Sequence, residues 1–133
     1  MRNKIANLME RIAQLEEEMI KGLEGQDLSG QDFSGWDLRN TDLSQTNLTG
    51  ADLRLANLSN ADLTDADLEQ SDLRNAGLYN ADLTLAKLTD ANLRNANLRK
   101  ADLTKADLEN ADLTKADLTE AILTDADLTE ANL

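Results

Sequence analysis

The side chains of this protein that could act in catalysis or bind cations are its carboxylates. The 133 residues contain 26 Asp and Glu, 13 Lys and Arg, no His and no Cys, which gives a formal net charge of −13. Clustered carboxylates can act as general acids and bases or bind Ca²⁺, and an excess of them attracts cationic partners. Here no cluster departs from the regular spacing of the sequence, and a flat column of Asp offers Ca²⁺ too few converging oxygens. The sequence therefore predicts a protein that is not an enzyme, with no catalytic residue, no metal site and no cofactor.

The acidic residues recur because the sequence from Gln26 to Leu133 repeats every five residues. Every fifth residue from Leu28 onward is Leu, apart from Phe33, and the residue before it is Asp or Asn nineteen times in twenty-two. The residue before that is small, usually Ala. Residues two apart lie on the same side of an extended chain, so Ala and Leu face inward, Asp faces outward, and the other two residues turn. An α-helix is excluded, because steps of five would spread Leu around its surface.

These Ala-Asp-Leu-Thr-Xaa units resemble the pentapeptide-repeat family, whose unit is a small residue, Asp or Asn, Leu or Phe, a small polar or charged residue, and a variable one. The resemblance covers residues 26–133. It implies an all-β solenoid, a right-handed quadrilateral parallel β-helix with four pentads per coil and about five and a half coils. Leu would then lie inside the coils and Asp or Asn outside.

Residues 1–25 follow a different pattern, with apolar side chains three and four residues apart. This spacing predicts an amphipathic α-helix that stops near Gly22 and Gly25. Its apolar positions, here called the seam, are Ile5, Leu8, Ile12, Leu15 and Met19. Alternating Ile and Leu are typical of a parallel two-stranded coiled coil, but the seam is short. We favour the alternative of a cap that covers the first coil, because solenoid ends need covering.

The two ends of the predicted solenoid differ in character. Phe33 and Trp36 fall in the first coil, where Trp36 could be a ligand platform. A lone Trp beside a capping segment is more often a plug, so we predict that both rings fill the N-terminal junction. At the other end the sequence stops at Leu133, within a pentad. We expect either an idealised, engineered or trimmed member of the family, or an open coil that meets another chain.

Charge is uneven among the four faces that four pentads per coil imply. The face whose pentads begin at residue 26 has a net charge of −7, and the face that begins at residue 41 has −5. The faces that begin at residues 31 and 36 are neutral. We predict that the acidic half is a partner surface. Its candidate residues are Asp42, Asp62, Asp82, Asp102, Asp67, Asp107 and Asp127.

These observations predict a non-enzymatic structural or protein-binding scaffold. An acidic surface favours a protein partner with a cationic surface and disfavours direct contact with nucleic acid. The resemblance implies a sharper alternative, because some acidic pentapeptide-repeat proteins mimic DNA and occupy the DNA-binding groove of type II topoisomerases. This chain lacks inserted loops and has almost no Phe, so we favour the interpretation that Asp recurs because it accepts backbone hydrogen bonds.

Two further expectations concern assembly and location. A homo-oligomer could form through the N-terminal helix or through the open C-terminal coil. The N-terminal segment is amphipathic and rich in Glu, unlike a signal peptide or a membrane span. We therefore expect no membrane association and a cytoplasmic location.

Overall fold

The chain forms one N-terminal helix followed by stacked pentads, in a computed structural model that describes residues 2–133. Met1, which belongs to the predicted segment 1–25, lies outside the described residues. The helix, α1, spans Arg2–Met19, and residues 20–25 turn the chain into the first pentad. No helix in the described part of the chain has both the length and the apolar character needed to cross a membrane.

The pentads are joined by parallel backbone bridges between residues twenty positions apart. Asp42 pairs with Asp62 and Asp62 pairs with Asp82, and the same step recurs from residue 27 to residue 132. One circuit of the chain therefore takes four pentads, and pentads twenty residues apart stack. We name the resulting faces after their first residues: the Gln26, Gln31, Trp36 and Thr41 faces.

The bridges are isolated, and residues 2–133 contain no longer strand. This differs from the continuous strands of an ordinary β-sheet, and the length of the unit is the reason. Each pentad has three extended residues followed by two turn residues, so one residue pairs before the chain turns again.

Four of the five backbone N–H groups in a typical pentad find backbone acceptors. The N–H of Ala61 donates to a carbonyl across the preceding turn (3.0 Å), and that of Asp62 donates to the coil before (3.0 Å). The N–H groups of Leu63 and Asp65 donate to the next coil (2.7 and 2.9 Å). The fifth, that of Thr64, requires a side-chain acceptor.

The core is a column of Leu flanked by Ala. The pentad Leu side chains from Leu38 to Leu108 are at most 1% exposed, as are the Ala side chains from Ala51 to Ala111. Burying one Leu stabilises the fold by about 1.5–3 kcal/mol, and here the layers supply each other's contacts. Where Ser71 replaces Ala, its hydroxyl donates to a main-chain carbonyl (2.7 Å), so the buried polar group is satisfied.

Each corner places one residue in the left-handed backbone region. The last residue of the pentad has φ between 56° and 62° where it is not Gly. A positive φ at the third residue of a four-residue turn is a feature of type II turns, and Gly and Asn adopt it most readily. Two corners have Leu instead, at Leu55 and Leu85, with φ of 61° and 62°.

Candidate partner-binding surface

The Asp or Asn of the pentad supplies the acceptor that the fifth N–H requires. Oδ1 of Asp62 accepts the N–H of Thr64 (2.9 Å). An Asn does the same, since Oδ1 of Asn47 accepts the N–H of Thr49 (3.0 Å). This reach over two residues is that of an Asx turn. The recurrence of Asp is therefore explained by the backbone, for which an amide serves as well as a carboxylate.

Turn hydroxyls add a second hydrogen bond to many of these carboxylates. The hydroxyls of Ser44 and Thr129 donate to Oδ1 of Asp42 and Asp127 (2.6 and 2.5 Å). The hydroxyl first, and then the backbone N–H of the same residue, lower the pKa of Asp42 and of Asp127. Hydrogen bonds to the charged form favour that form, so both carboxylates are ionised at neutral pH.

Three pentads lack an acceptor at this position, because their second residues are Gly77, Lys87 and Ile122. Within residues 2–133, the backbone N–H groups of Tyr79 and Thr89 donate no hydrogen bond of this kind. These pentads keep their bridges, since Asn57 pairs with Gly77 like any other step. The side-chain hydrogen bond therefore reinforces the fold and does not define it.

The predicted acidic residues fall on two adjacent faces. The Gln26 face has a net charge of −7 and the Thr41 face −5, whereas the Gln31 and Trp36 faces are neutral. On the Thr41 face the bridges bring four predicted residues into one column, Asp42, Asp62, Asp82 and Asp102. On the Gln26 face another column contains Asp67, Lys87, Asp107 and Asp127. Lys87 thus interrupts the carboxylates of the Gln26 column, whereas the four carboxylates of the Thr41 column follow one another without interruption.

Ion pairs lie on the two neutral faces. On the Gln31 face Arg54 pairs with Asp52 in its own coil (2.5 Å) and with Asp72 in the next (3.8 Å). Arg74 then pairs with Asp72 (2.6 Å), which continues the ladder. The hydrogen bond from Arg54 lowers the pKa of Asp52 to about 2. Among residues 2–133, no ion pair within 4.0 Å lies on the Gln26 or Thr41 face.

The predicted junction residues pack against each other at the first coil. The ring centroids of Phe33 and Trp36 are 5.3 Å apart and the rings meet edge to face at 89°. Phe33 is buried, and the half-buried Trp36 packs against the core with Ile20 and Leu23. Both rings therefore lie at the N-terminal end of the core, and their role as a plug stays a prediction.

The seam of α1 is exposed and does not cover the first coil. Its five side chains are 42–62% exposed. Ile20 and Leu23, which follow the helix, pack on the core instead. The capping hypothesis predicts that the seam lies over the first coil, whereas in the structure the seam is exposed to solvent. The helix turns a different side toward the solenoid, and residues 3–19 are exposed on every side of α1.

That different side borders a groove of about 680 Å³ between α1 and the Trp36 face. Ala13, Glu16 and Glu17 line it from the helix, and Trp36 and Asp37 line it from the first coil. At about 100° of rotation per residue, these helix positions lie roughly a third of a turn away from the seam. The seam is therefore accessible while α1 remains beside the solenoid.

Sequence reasoning missed Ile20 and Leu23 as the side chains that cover the first coil. The signal was present, because they are the last apolar residues before the repeat and do not continue the seam spacing. It also missed the contact of the Lys100 ammonium with the Tyr79 ring, 5.9 Å from the ring centroid. In residues 2–133 no group of three acidic, His or Cys side chains could hold a metal ion.

Comparison with known proteins agrees with this geometry. A family model described as pentapeptide repeats matches eight copies, over residues 23–54, 51–90 and 96–133. Curated protein sequences gave no match.

Three solved structures are similar over most of their length. The pentapeptide repeat protein Rfr23 from the cyanobacterium Cyanothece 51142 is 32% identical with a TM-score of 0.69, over 83% of this chain and 86% of that one. A pentapeptide repeat protein from the Arabidopsis thaliana thylakoid lumen is 39% identical with a TM-score of 0.63, over 80% and 71%. The protein alr5209 from Nostoc Pcc 7120 is 38% identical with a TM-score of 0.65, over 78% and 83%.

Proposed function

The chain belongs to the pentapeptide-repeat family, and from that premise we propose that it is a non-enzymatic scaffold whose acidic faces bind a cationic protein surface. The partner surface consists of the Gln26 and Thr41 faces. The solenoid we propose is a right-handed quadrilateral β-helix of about five and a half coils, roughly 26 Å long at a spacing of about 4.8 Å per coil.

The observation that carries this proposal is the separation of paired and unpaired charge. The neutral faces carry the Arg residues that pair with Asp52 and Asp72, whereas within residues 2–133 the carboxylates of the acidic faces form no ion pair within 4.0 Å. Adjacent faces of −7 and −5 give the molecule a strongly directional field. Such a field raises the association rate of cationic partners and selects their orientation.

The repeat itself supplies a clean test, because Asn replaces Asp without loss of the Asx turn. The acidic-face variant changes Asp42, Asp62, Asp82 and Asp102 to Asn. The neutral-face variant changes Asp32, Asp52, Asp72 and Asp112 to Asn, which removes the same number of charges. Both proteins therefore have the same net charge and differ in where it lies.

The measurement is titration with a lysine homopolymer at low and at physiological salt. If each of the four removed contacts is worth about 0.2–1 kcal/mol, the acidic-face variant should bind about fourfold to several hundredfold more weakly. The neutral-face variant should bind as well as the unchanged protein. Equal weakening in both variants would show that net charge alone governs binding, and the proposed surface would be wrong.

DNA mimicry is a second candidate, favoured by the density of charge along the solenoid. Residues 26–133 have a net charge of −12. Spread over the proposed length this is about one charge per 2 Å, against about 1.7 Å in duplex DNA. A cationic groove that accepts duplex DNA would meet a similar field.

The test of this candidate is inhibition of DNA supercoiling by a type II topoisomerase. Inhibition should weaken as salt rises, and charge reversal at Asp62, Asp82 and Asp102 should abolish it. Inhibition that survives the reversal would exclude the Thr41 column as the DNA-like surface. The absence of inhibition by the unchanged protein would leave the scaffold function as the better account.

The finer expectations on assembly and location remain predictions. A homo-oligomer could form through α1 or, as the alternative, through the last coil. The cytoplasmic location also stays a prediction, and one of the similar proteins comes from the thylakoid lumen.

A further inference from the structure

The seam of α1 is an unpartnered apolar stripe, and the charges beside it indicate what covers it. We propose that α1 pairs in antiparallel orientation with α1 of a second copy of this chain. This inference specifies the oligomerisation alternative and does not depend on whether the acidic faces bind a cationic protein.

The first argument is that the charges of α1 oppose its own dipole. A helix favours acidic side chains in its first turn and basic ones in its last. Neither is present in α1, since the first turn has Lys4 and the last has Glu16, Glu17 and Glu18. This charge pattern destabilises α1 as an isolated helix. Favourable charges must therefore come from outside the helix.

The second argument is that an antiparallel copy supplies those charges at both ends. It places the Lys4 end of one helix against the Glu18 end of the other, and this contact occurs twice. The two helix dipoles then also run in opposite directions. Charge complementarity thus singles out a second copy of α1 in antiparallel orientation as the occupant.

The third argument is that the seam residues match in this orientation. Aligning the helices about their centre puts Ile5 opposite Leu15 of the second copy and Leu8 opposite Ile12. The heptad positions that hold Ile then face those that hold Leu, which is the usual layer of an antiparallel pair. The exposure of these side chains, 42–62%, shows that the solenoid leaves them available.

The solenoids themselves disfavour the parallel arrangement that the alternating Ile and Leu would also allow. A parallel pair would align the three Glu residues of both helices and place two solenoids of net charge −12 side by side. An antiparallel pair attaches the solenoids at opposite ends of a helix of 18 residues, about 27 Å apart. At physiological salt, charges at that distance are screened.

The chain has no Cys, so single Cys variants report helix orientation directly. The full-length variants Ile5→Cys and Leu15→Cys are prepared separately, then mixed under mild oxidation. The antiparallel pair predicts that the mixed disulfide exceeds either homodimeric disulfide several-fold. Sedimentation equilibrium of the unchanged protein over a range of concentrations measures the dimer itself.

Two substitutions of equal charge change control for the contact. Ile12→Asp places a charge in the centre of the seam and should abolish the dimer, whereas Gln14→Asp adds the same charge on the solvent face and should not. Circular dichroism checks that both variants retain the solenoid. A monomer at every concentration, homodimeric disulfides in excess, or a dimer that survives Ile12→Asp would each overturn the proposal. None of these outcomes affects the lysine-homopolymer titration, so the two proposals fail separately.

Discussion

Replacing Asp62 separates the structural role of the pentad Asp from its charge. In Asp62→Ala the N–H of Thr64 loses its acceptor, which lies at 2.9 Å. A hydrogen bond of this kind contributes about 0.5–1.5 kcal/mol, so the free energy of unfolding should fall by that amount. In Asp62→Asn the acceptor remains and the charge is removed.

The expected effect of Asp62→Asn follows from the column in which Asp62 lies. Asp42 and Asp82 are its bridge partners in the neighbouring coils. Two like charges about 4.8 Å apart repel by about 0.9 kcal/mol in water before screening. Because the side chain of Asp62 is exposed, we expect Asp62→Asn to be neutral or to stabilise by a few tenths of a kcal/mol.

The assay is urea unfolding followed by circular dichroism, at low salt and at about 1 M salt, where the screening length is about 3 Å. High salt should remove any gain from Asp62→Asn and leave the loss from Asp62→Ala. If the two variants lose the same stability at both salt concentrations, the Asx hydrogen bond, which Asn retains and Ala lacks, does not contribute to stability. The interpretation of the repeat would then be refuted.

Four further predictions use the same assay. Gly77→Asn restores a missing acceptor and should raise the free energy of unfolding by about 0.5–1.5 kcal/mol. The control Gly77→Ala, whose Cβ also fits, should raise it by less. Equal gains in the two variants would point to backbone entropy instead of the hydrogen bond. Leu55→Gly relieves a left-handed corner at φ 61° and should stabilise by about 1 kcal/mol, whereas Arg54→Gly should not. Leu83→Ala, at a fully buried position, should destabilise by about 2–5 kcal/mol, and a smaller loss would mean that the column collapses around the cavity. Asp52 has a folded pKa of about 2, below its unfolded value of about 3.9. The stability that Asp52 contributes is therefore present above about pH 4 and is lost as the pH falls toward 2. A urea midpoint that rises on acidification would contradict this sign.

The interior of the solenoid could be predicted from sequence because each position has one physical demand. Leu at every fifth position and a small residue two before it leave no other way to bury both, and the burial of Leu63 and Ala61 follows. The outward position of the pentad Asp could be predicted equally well. Its hydrogen bond to the N–H two residues on was expected from turn chemistry and is found at most pentads.

The number of pentads per coil could not be obtained from the period of five. It depends on the angle at each corner, which the residue types do not fix, and it came from the family resemblance. The ion-pair ladder through Arg54 and Asp72 depends on that number, since these residues meet only when pentads twenty residues apart stack.

The position of α1 was the least predictable part. The seam spacing predicts a helix with one apolar side, but it does not say what that side faces. The helix is held near the first coil by Ile20 and Leu23, which belong neither to the seam nor to the repeat. Periodicity could not assign two residues that end one pattern before the next begins.

Hydrogen exchange of backbone amides tests the central claim, that an Asp or Asn side chain completes the hydrogen bonding of the pentads that contain one. We expect the amides of Thr64 and Thr84, which have this acceptor, to exchange slowly. The amides of Tyr79 and Thr89, whose pentads lack it, should exchange close to the rate of an unprotected amide, while those of Leu78 and Leu88 in the same pentads stay protected by their bonds to the next coil. Equal protection of Thr64 and Tyr79 would contradict the account.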